Sequence, residues 1–88
     1  MAVPDLSLVI LSWNTKPLLR ECLTAVREGR GGLGVEVVVI DNASHDGSAD
    51  MVAAEFPEVI LERNAENRGY AGGVNQGLRR ASGSRVGL

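Results

Sequence analysis

Residues 37–51 read VVVIDNASHDGSADM and join an aliphatic run to a polar loop and then to the beginning of a helix. The aliphatic part ends at Asp41 and Asn42. A short run of branched aliphatic residues is typical of a strand that is buried on both faces. Asp46, Gly47 and Ser48 follow, and these residue types favour a turn and the start of a helix. The stretch therefore predicts a buried strand, a polar loop and a helix in direct succession.

The same alternation recurs along the whole chain. The predicted strands are Leu6–Leu11, Val35–Ile40, Val59–Leu61 and Arg85–Leu88. The first predicted helix begins at Lys16 and Pro17, with Thr15 as its N-cap, and stops at Gly29. The second begins at Ser48 or Asp50 and ends at Pro57. The third runs from Tyr70 to Ala81. Helices that alternate with aliphatic strands indicate an α/β fold, in which helices cover a parallel sheet.

Composition limits the class of protein. The chain has 88 residues, of which 44% are hydrophobic and 23% charged, and this is the composition of one small globular domain. The net charge of −2 gives no basic field, so we expect no nucleic-acid partner. Cys22 is the only cysteine, and we expect it to be a buried or half-buried residue without a redox role.

Targeting signals are also missing from the sequence. The first residues lack the basic region and the apolar core of a signal peptide. No apolar run approaches the roughly 18 residues that span a bilayer. We therefore expect a soluble, cytoplasmic protein without a membrane span.

Two predicted strands end in polar loops, at Ser12-Trp13-Asn14 and at Asp41-Asn42-Ala43-Ser44. Ligands of an open parallel sheet bind beyond the carboxyl ends of its strands, and both loops belong to that edge. An acid there can accept hydrogen bonds from a base or a ribose. The alternative is that Asp and Asn end strands because they form turns well, and that Asp46 or Ser48 only caps the second helix.

Glycines mark two further stretches. Residues 29–34 match the G-x-G-x-x-G pattern, but they follow a helix and precede a strand, which is the reverse of a dinucleotide fingerprint. Residues 67–77 place three glycines in one short helix, which indicates close approach of a ligand or tight packing on the sheet. Arg68 pairs with a phosphate or is solvated, Tyr70 favours packing over stacking, and His45 is expected at the surface.

Taken together, three pieces of sequence resemble the amino-terminal part of inverting family-two glycosyltransferases of the GT-A fold. The pieces are SLVILSWNT, VVVIDNASHDGSADMV and NAENRGYAGGVNQGL, and the resemblance covers residues 6–88. The variant of the second and third pieces is similar to the subgroup that includes bacterial rhamnosyltransferases. The resemblance implies a three-layer, Rossmann-like parallel sheet with strand order 3-2-1-4, which is the amino-terminal half of a GT-A fold.

The resemblance also implies a nucleotide-binding half-site. Ser12, Trp13 and Asn14 would surround the base and ribose, and Asp41 would accept a hydrogen bond from the base. Asn42, Ser44 and Asp46 would hold the loop or border the nucleotide. Asn67, Arg68 and Gly69 would approach the base or diphosphate, and Asn75 would support the loop from the third helix. Many family members carry a basic residue just before that asparagine. Val74 stands there in this chain, so one base or phosphate contact of the family has no counterpart at this position.

The family's metal-binding Asp-x-Asp follows the fourth strand, and no such motif is present in residues 1–88. We therefore expect no catalytic residue and no metal ligand in this chain, and a divalent metal (Mg or Mn) in a full-length parent. Residues 1–88 would then be the truncated nucleotide-sugar-binding half of a glycosyltransferase domain. Such a fragment is expected to be inactive alone and to bind a UDP- or dTDP-linked sugar weakly.

Two other interpretations stay open. The chain could be a non-catalytic structural or interaction domain that kept the fold, or a small dinucleotide-binding protein, against which the misplaced glycine pattern argues. An unpaired sheet edge invites pairing with another chain. We therefore expect a homo-oligomer that forms through the fourth strand, Arg85–Leu88.

Overall fold

The computed structural model describes residues 4–29, 34–83 and 86–87. Strands and helices alternate as the sequence predicts. In chain order the elements are β1 (Leu6–Ser12), α1 (Lys16–Gly29), β2 (Val35–Asp41), α2 (Ser48–Glu55), β3 (Ile60–Arg63), α3 (Gly69–Arg80) and β4 (Val86–Gly87).

The four strands form one sheet in the order β3-β2-β1-β4, and each neighbouring pair is parallel. The expected order 3-2-1-4 is confirmed. Right-handed crossovers from β1 to β2 to β3 place α1 and α2 on one face of the sheet. The chain then returns across β1 to reach β4, which places α3 on the other face. The result is the three-layer, Rossmann-like arrangement that the resemblance implies.

The face covered by α1 and α2 holds the larger core. Its buried members are Leu19, Leu23, Val39, Met51, Val52 and Phe56. Five apolar residues at three- and four-residue spacing predict a broad apolar face for α1: Leu18, Leu19, Cys22, Leu23 and Val26. The buried face is narrower, because Leu19 and Leu23 are buried whereas Leu18 is 67% exposed. Cys22 is also exposed, so the expectation that it is buried or half-buried is wrong. It lies beside the stripe formed by Leu19 and Leu23 and does not belong to that stripe.

On the other face, α3 packs closely on the sheet through its glycines. A Cβ at Gly73 would collide with the side chain of Leu11, and one at Gly77 would collide with Val9. Packing therefore accounts for two of the three glycines that made this helix unusual. Tyr70 is 71% exposed in the first turn of α3, so the interpretation that it packs is wrong.

β1 and β2 each end one residue later than predicted, at Ser12 and Asp41, so the carboxyl-terminal residue of both strands is polar. In the parallel register Ser12 lies opposite Asp41, and Asp41 lies opposite Arg63. At the other margin β4 pairs with β1 through Val86 and Gly87. Arg85 and Leu88, which complete the predicted oligomer edge, lie outside the described residues.

Candidate functional site

Asp41 is a buried polar residue at the carboxyl edge of the sheet, as are Ser12 and Asn42. It is 3% exposed, and its Oδ2 accepts a hydrogen bond from the backbone N–H of Ser44 at 3.0 Å. Its Oδ1 is buried and accepts no hydrogen bond from any residue that the structure describes. An unpaired buried acceptor costs about 1–3 kcal/mol. Such an atom requires an explanation, and water, an ion or a ligand with a hydrogen-bond donor can supply the missing partner.

The loop after β1 and the loop after β2 are interlocked. The backbone N–H of Asn14 donates to Ser44 Oγ at 2.9 Å, and Asn14 Oδ1 accepts from the backbone N–H of His45 at 2.7 Å. Asn14 and Ala43 both have left-handed backbones, with φ of 51° and 65°. That conformation is uncommon outside glycine and is found where the surrounding structure enforces it. The interlock fixes the loop that carries Trp13, whose side chain is 55% exposed.

Asp46 joins the amino ends of two helices. Its Oδ2 accepts from the backbone N–H of Lys16 at 3.0 Å, and its Oδ1 accepts from the backbone N–H of Ser48 at 3.0 Å and from the Ser48 hydroxyl. Hydrogen bonds from the Ser48 hydroxyl, and then from Lys16, hold the pKa of the Asp46 carboxyl below its ordinary value. Both oxygens are therefore engaged in capping, which was one of the two interpretations left open for this residue.

Thr15 occupies the N-cap position of α1, as predicted, but a residue of another loop also takes part in capping this helix. The carbonyl of Thr15 accepts the first helical hydrogen bond, from Leu19 N–H at 2.8 Å, as an N-cap carbonyl does. The N–H of Lys16, however, is satisfied from the neighbouring loop by Asp46. Gly47 is the N-cap of α2 and has a left-handed backbone with φ of 84°. The two helix starts are thereby fixed to each other.

Asn42 connects this edge to the start of α3. Its buried carboxamide donates from Nδ2 to the carbonyl of Gly69 at 3.1 Å and accepts at Oδ1 from the backbone N–H of Arg68 at 3.0 Å. Arg68 and Gly69 are thus brought next to Asn42. The side chain of Arg68 is exposed at this edge. Gly69 has φ of 73°, a backbone conformation that favours glycine.

Two functional candidates were missed in the sequence. Asn64 donates to Asn42 Oδ1 at 3.0 Å and exchanges hydrogen bonds with Gln76, donating at 3.0 Å and accepting at 2.9 Å. Asn75, the expected support for the loop, is exposed, whereas its neighbour Gln76 is half-buried and bonds Asn64. Asn64 could have been found, because it follows β3 as Asn42 follows β2. Gln76 gives no such signal, because its direction depends on how α3 is rotated.

Three groups at this edge are of the kind that contact ligands. They are a buried acceptor at Asp41, an exposed aromatic ring at Trp13 and an exposed cation at Arg68. Within the described ranges, no group of three or more His, Cys, Asp and Glu side chains could hold a metal ion. The divalent metal that the resemblance implies therefore does not fit these residues. In the same ranges, no helix is long and apolar enough to cross a bilayer.

Comparison with known proteins gives one family match. The sequence model of the family described as "Glycosyl transferase family 2" matches residues 7–88. Among curated proteins, the chain is 40% identical over 80 residues to the uncharacterized glycosyltransferase YfnE of Bacillus subtilis (strain 168), which covers 88% of this chain. It is 34% identical over 82 residues to the succinoglycan biosynthesis protein ExoO of Rhizobium meliloti (strain 1021), which covers 92% of this chain.

A solved structure is similar over nearly the whole chain. It is the mannosyltransferase PcManGT from Pyrobaculum calidifontis in complex with GDP-Man and Mn²⁺, with a TM-score of 0.79, 33% identity and 98% of this chain covered. The matches span only part of each relative: 20% of YfnE, 23% of ExoO and 27% of the mannosyltransferase chain. The chain thus corresponds to about a quarter or less of the length of these proteins.

Proposed function

Because the chain belongs to glycosyl transferase family 2, we propose that it is the nucleotide-binding portion of an enzyme that moves a sugar from a nucleoside diphosphate to a glycan or lipid-linked acceptor. Residues 1–88 supply the nucleotide-binding part of a GT-A domain in this proposal. The transfer itself needs a general base and stabilisation of the leaving diphosphate. Both belong to the full-length protein, together with its Mg²⁺ or Mn²⁺, and the 88-residue chain alone is inactive.

The unpaired Oδ1 of Asp41 is the observation that carries the proposal. A carboxylate oxygen can only accept, so it selects a base that presents an N–H on its pairing edge. Uracil and thymine present such a group at ring position 3, and guanine presents one at ring position 1. Adenine and cytosine present an acceptor nitrogen at the corresponding ring position and donate only through their exocyclic amino groups. UDP- and dTDP-linked sugars, which the resemblance implies, are the proposed ligands, and GDP-linked sugars, one of which the mannosyltransferase structure contains, satisfy the same acceptor and are the competing class.

The remaining candidate residues fit the other parts of a nucleotide. Ser12, Trp13 and Asn14 border the base and ribose, and the exposed Trp13 ring offers a surface for stacking. The exposed Arg68 guanidinium is available to the diphosphate, as arginine is suited to phosphate oxygens. Asn42, Ser44 and Asp46 hold the loops in place through the hydrogen bonds described above. Asn75 is exposed, and its part in the loop stays a prediction.

Calorimetric titration tests the proposal. UDP, dTDP and GDP are titrated into the wild-type chain, into Asp41→Ala and into Asp50→Ala, an exposed carboxylate that pairs with Arg63. We expect weak, saturable binding of UDP or dTDP that Asp41→Ala reduces at least about tenfold, since a hydrogen bond to a charged group contributes roughly 1.5–3 kcal/mol. Asp50→Ala is expected to bind like the wild type.

Three outcomes would redirect the assignment. Binding that survives Asp41→Ala would remove Asp41 from the site. Preference for GDP would move the ligand class to that of the mannosyltransferase. Absence of binding to all three nucleotides would favour the alternative, a non-catalytic structural or interaction domain. The cytoplasmic location and the homo-oligomer stay predictions, and a monomeric mass in light scattering at high concentration would contradict the latter.

A further inference from the structure

Three side-chain amides form a continuous path from α3 to the loop at the carboxyl edge. We call Gln76, Asn64 and Asn42 the amide chain. Gln76 bonds Asn64 in both directions, at 3.0 and 2.9 Å, and Asn64 Nδ2 donates to Asn42 Oδ1 at 3.0 Å. Asn64 and Asn42 are buried, and Gln76 is half-buried. A side-chain amide has a donor end and an acceptor end, so each member of such a path must be turned the right way.

A carboxylate fixes the direction at the α3 end. Gln76 Nε2 donates to Glu62 Oε1 at 2.7 Å. Because a carboxylate only accepts, Gln76 has to present its NH₂ group to Glu62. Its Oε1 is then left for Asn64 Nδ2, which in turn points the same NH₂ group at Asn42 Oδ1.

The backbone fixes the same direction at the loop end. The N–H of Arg68 can only donate, and it meets Asn42 Oδ1 at 3.0 Å. The carbonyl of Gly69 can only accept, and it meets Asn42 Nδ2 at 3.1 Å. The direction imposed by Glu62 and the direction required by Arg68 and Gly69 therefore agree across three amides. A reversal of any member would set two donors or two acceptors against each other inside the protein.

We propose that Gln76 and Asn64 are positioning residues for nucleotide binding, which hold the Asn42 carboxamide in the orientation that fixes the Arg68–Gly69 backbone beside Asp41. Glu62 sets the direction of the amide chain. The inference rests on the proposed function for its ligand, and on the hydrogen bonds alone for its geometry. It shifts the support of the loop from Asn75 to its neighbour Gln76.

The test substitutes the member of the amide chain that is easiest to reach. Gln76→Glu keeps the length of the side chain and replaces its NH₂ group with an acceptor, which would face Glu62 Oε1 and Asn64 Oδ1. Leu78→Glu is the matched control, because it adds the same charge at an exposed position of the same helix. Gln76→Met is a second, neutral variant that removes both hydrogen-bonding groups without adding charge.

The first measurement is hydrogen exchange of backbone amides in each ¹⁵N-labelled chain. The Arg68 N–H reports on the amide chain, and the His45 N–H, which bonds Asn14 in the neighbouring loop, reports on a part of the same edge that the amide chain does not hold. We expect Gln76→Glu and Gln76→Met to speed exchange at Arg68 at least about tenfold while His45 changes less than about twofold. Leu78→Glu should leave both amides unchanged.

The second measurement is the dissociation constant of whichever of UDP, dTDP or GDP the wild-type chain binds. We expect it to rise about tenfold in both Gln76 variants and to stay constant in Leu78→Glu. Equal acceleration at Arg68 and His45 would mean that Gln76 only stabilises the domain, and unchanged exchange at Arg68 would show that the amide chain does not hold the loop. Either result overturns the proposal.

Two further results keep the test decisive. If the Gln76 variants do not fold by circular dichroism, the wild-type chain is used, in which the side-chain NH₂ protons of Asn64 and Gln76 should exchange at least about tenfold more slowly than those of exposed Asn75. Equal rates would overturn the proposal. If the wild type binds none of the three nucleotides, the proposed function fails, while exchange at Arg68 still decides whether the amide chain fixes the loop.

Discussion

Asp41 combines two properties that rarely occur in a purely structural residue. It is buried at the end of a central strand, and one of its oxygens accepts no hydrogen bond from the described part of the chain. Burial of a polar group without a partner lowers the stability of the fold. Sites where stability is lowered in this way are often functional, because a ligand supplies the missing partner.

Substitution of Asp41 should therefore separate stability from binding. In Asp41→Asn the side-chain carbonyl can still accept from Ser44 N–H, while the unpaired carboxylate oxygen becomes an NH₂ group. We expect the free energy of unfolding in urea to stay within about 1 kcal/mol of the wild type or to rise, since the substitution removes a buried carboxylate. The affinity for a base that donates an N–H should fall, because two donors would then face each other.

A loss of more than about 2 kcal/mol in Asp41→Asn would contradict this account, since breaking a native polar network has a cost of that size. Such a loss would make Asp41 a structural residue. Asp50→Asn is the matched control, because it makes the same substitution at an exposed carboxylate that pairs with Arg63.

Single residues were predictable from the sequence where a local rule applied. Asp41, Asn42 and Ser12 follow from the rule that polar residues at the carboxyl ends of parallel strands lie together. The distinct tasks of these residues were not predictable. The Asn42 carboxamide makes hydrogen bonds with the backbone of Arg68 and Gly69, and these contacts form only when α3 packs against the sheet.

Among the secondary-structure elements, α3 depends most on small residues. Its contact with β1 is close because neither Gly73 nor Gly77 carries a side chain. A glycine inside a helix normally costs roughly 1 kcal/mol relative to alanine. Here that cost is offset by burial of Val9 and Leu11 directly beneath the helix backbone.

Gly77→Ala should thus destabilise the protein although alanine favours helices. The new methyl group would collide with Val9 and also approach Ile40, and overpacking of this kind costs typically 1–3 kcal/mol. Gly29→Ala is the control, because Gly29 ends α1 and nothing lies within 4 Å of a Cβ added there. Thermal denaturation followed by circular dichroism measures both variants. A Gly77→Ala protein as stable as Gly29→Ala would show that α3 is more loosely packed than described.

The order and type of the elements were predictable because the two central strands, β1 and β2, contain compact aliphatic runs that end at polar residues. The faces of the helices were less predictable. Five apolar positions suggested a broad stripe on α1, yet Leu18 and Cys22 are exposed. A helix that packs through Leu19 and Leu23 leaves the flanking positions 18 and 22 without a packing partner. Which positions are buried depends on the angle at which the helix packs, and the sequence does not give that angle.

In the molecule as a whole, the two edges of the sheet differ in their polar chemistry. At the carboxyl edge, Asp41 Oδ1 accepts no hydrogen bond from the described residues, whereas at the amino edge both carboxylate oxygens of Glu36 accept hydrogen bonds. Glu36 Oε1 accepts from the Ser7 hydroxyl at 2.9 Å and from Ser82 N–H at 2.9 Å, and Glu36 Oε2 accepts from the Ser82 hydroxyl at 2.7 Å. Gly83 N–H donates to Ser7 Oγ at 2.7 Å. This cluster ties the starts of β1 and β2 to the segment after α3.

The Glu36 cluster should make stability sensitive to acid. Burial raises the pKa of the Glu36 carboxyl, but hydrogen bonds from Ser82 and Ser7, with the charge of Arg80, together hold that pKa below its ordinary value of 4.5. The unfolded chain then binds this proton more readily than the folded one. The stabilisation is complete above the unfolded pKa and is lost as pH falls through the lower folded pKa.

Urea denaturation between about pH 7 and pH 3 measures this effect. We expect the wild type to lose stability as the solution is acidified, and Glu36→Gln to show a shallower dependence. Asp46, whose carboxyl also has a lowered pKa, supplies part of the remaining slope. An identical pH dependence in Glu36→Gln and the wild type would rule out Glu36 as a source.

The most direct test of the central claim is a titration of the ¹⁵N-labelled chain with UDP or dTDP, followed by the shifts of its backbone amides. We expect saturable shifts at the carboxyl edge, at Asn42, Ser44 and Arg68, and unchanged amides at Glu36 and Ser82 on the amino edge. The same shifts should be lost in Asp41→Asn. Saturable shifts at the amino edge, or shifts at the carboxyl edge that persist in Asp41→Asn, would contradict the claim that Asp41 and its loops hold a nucleotide.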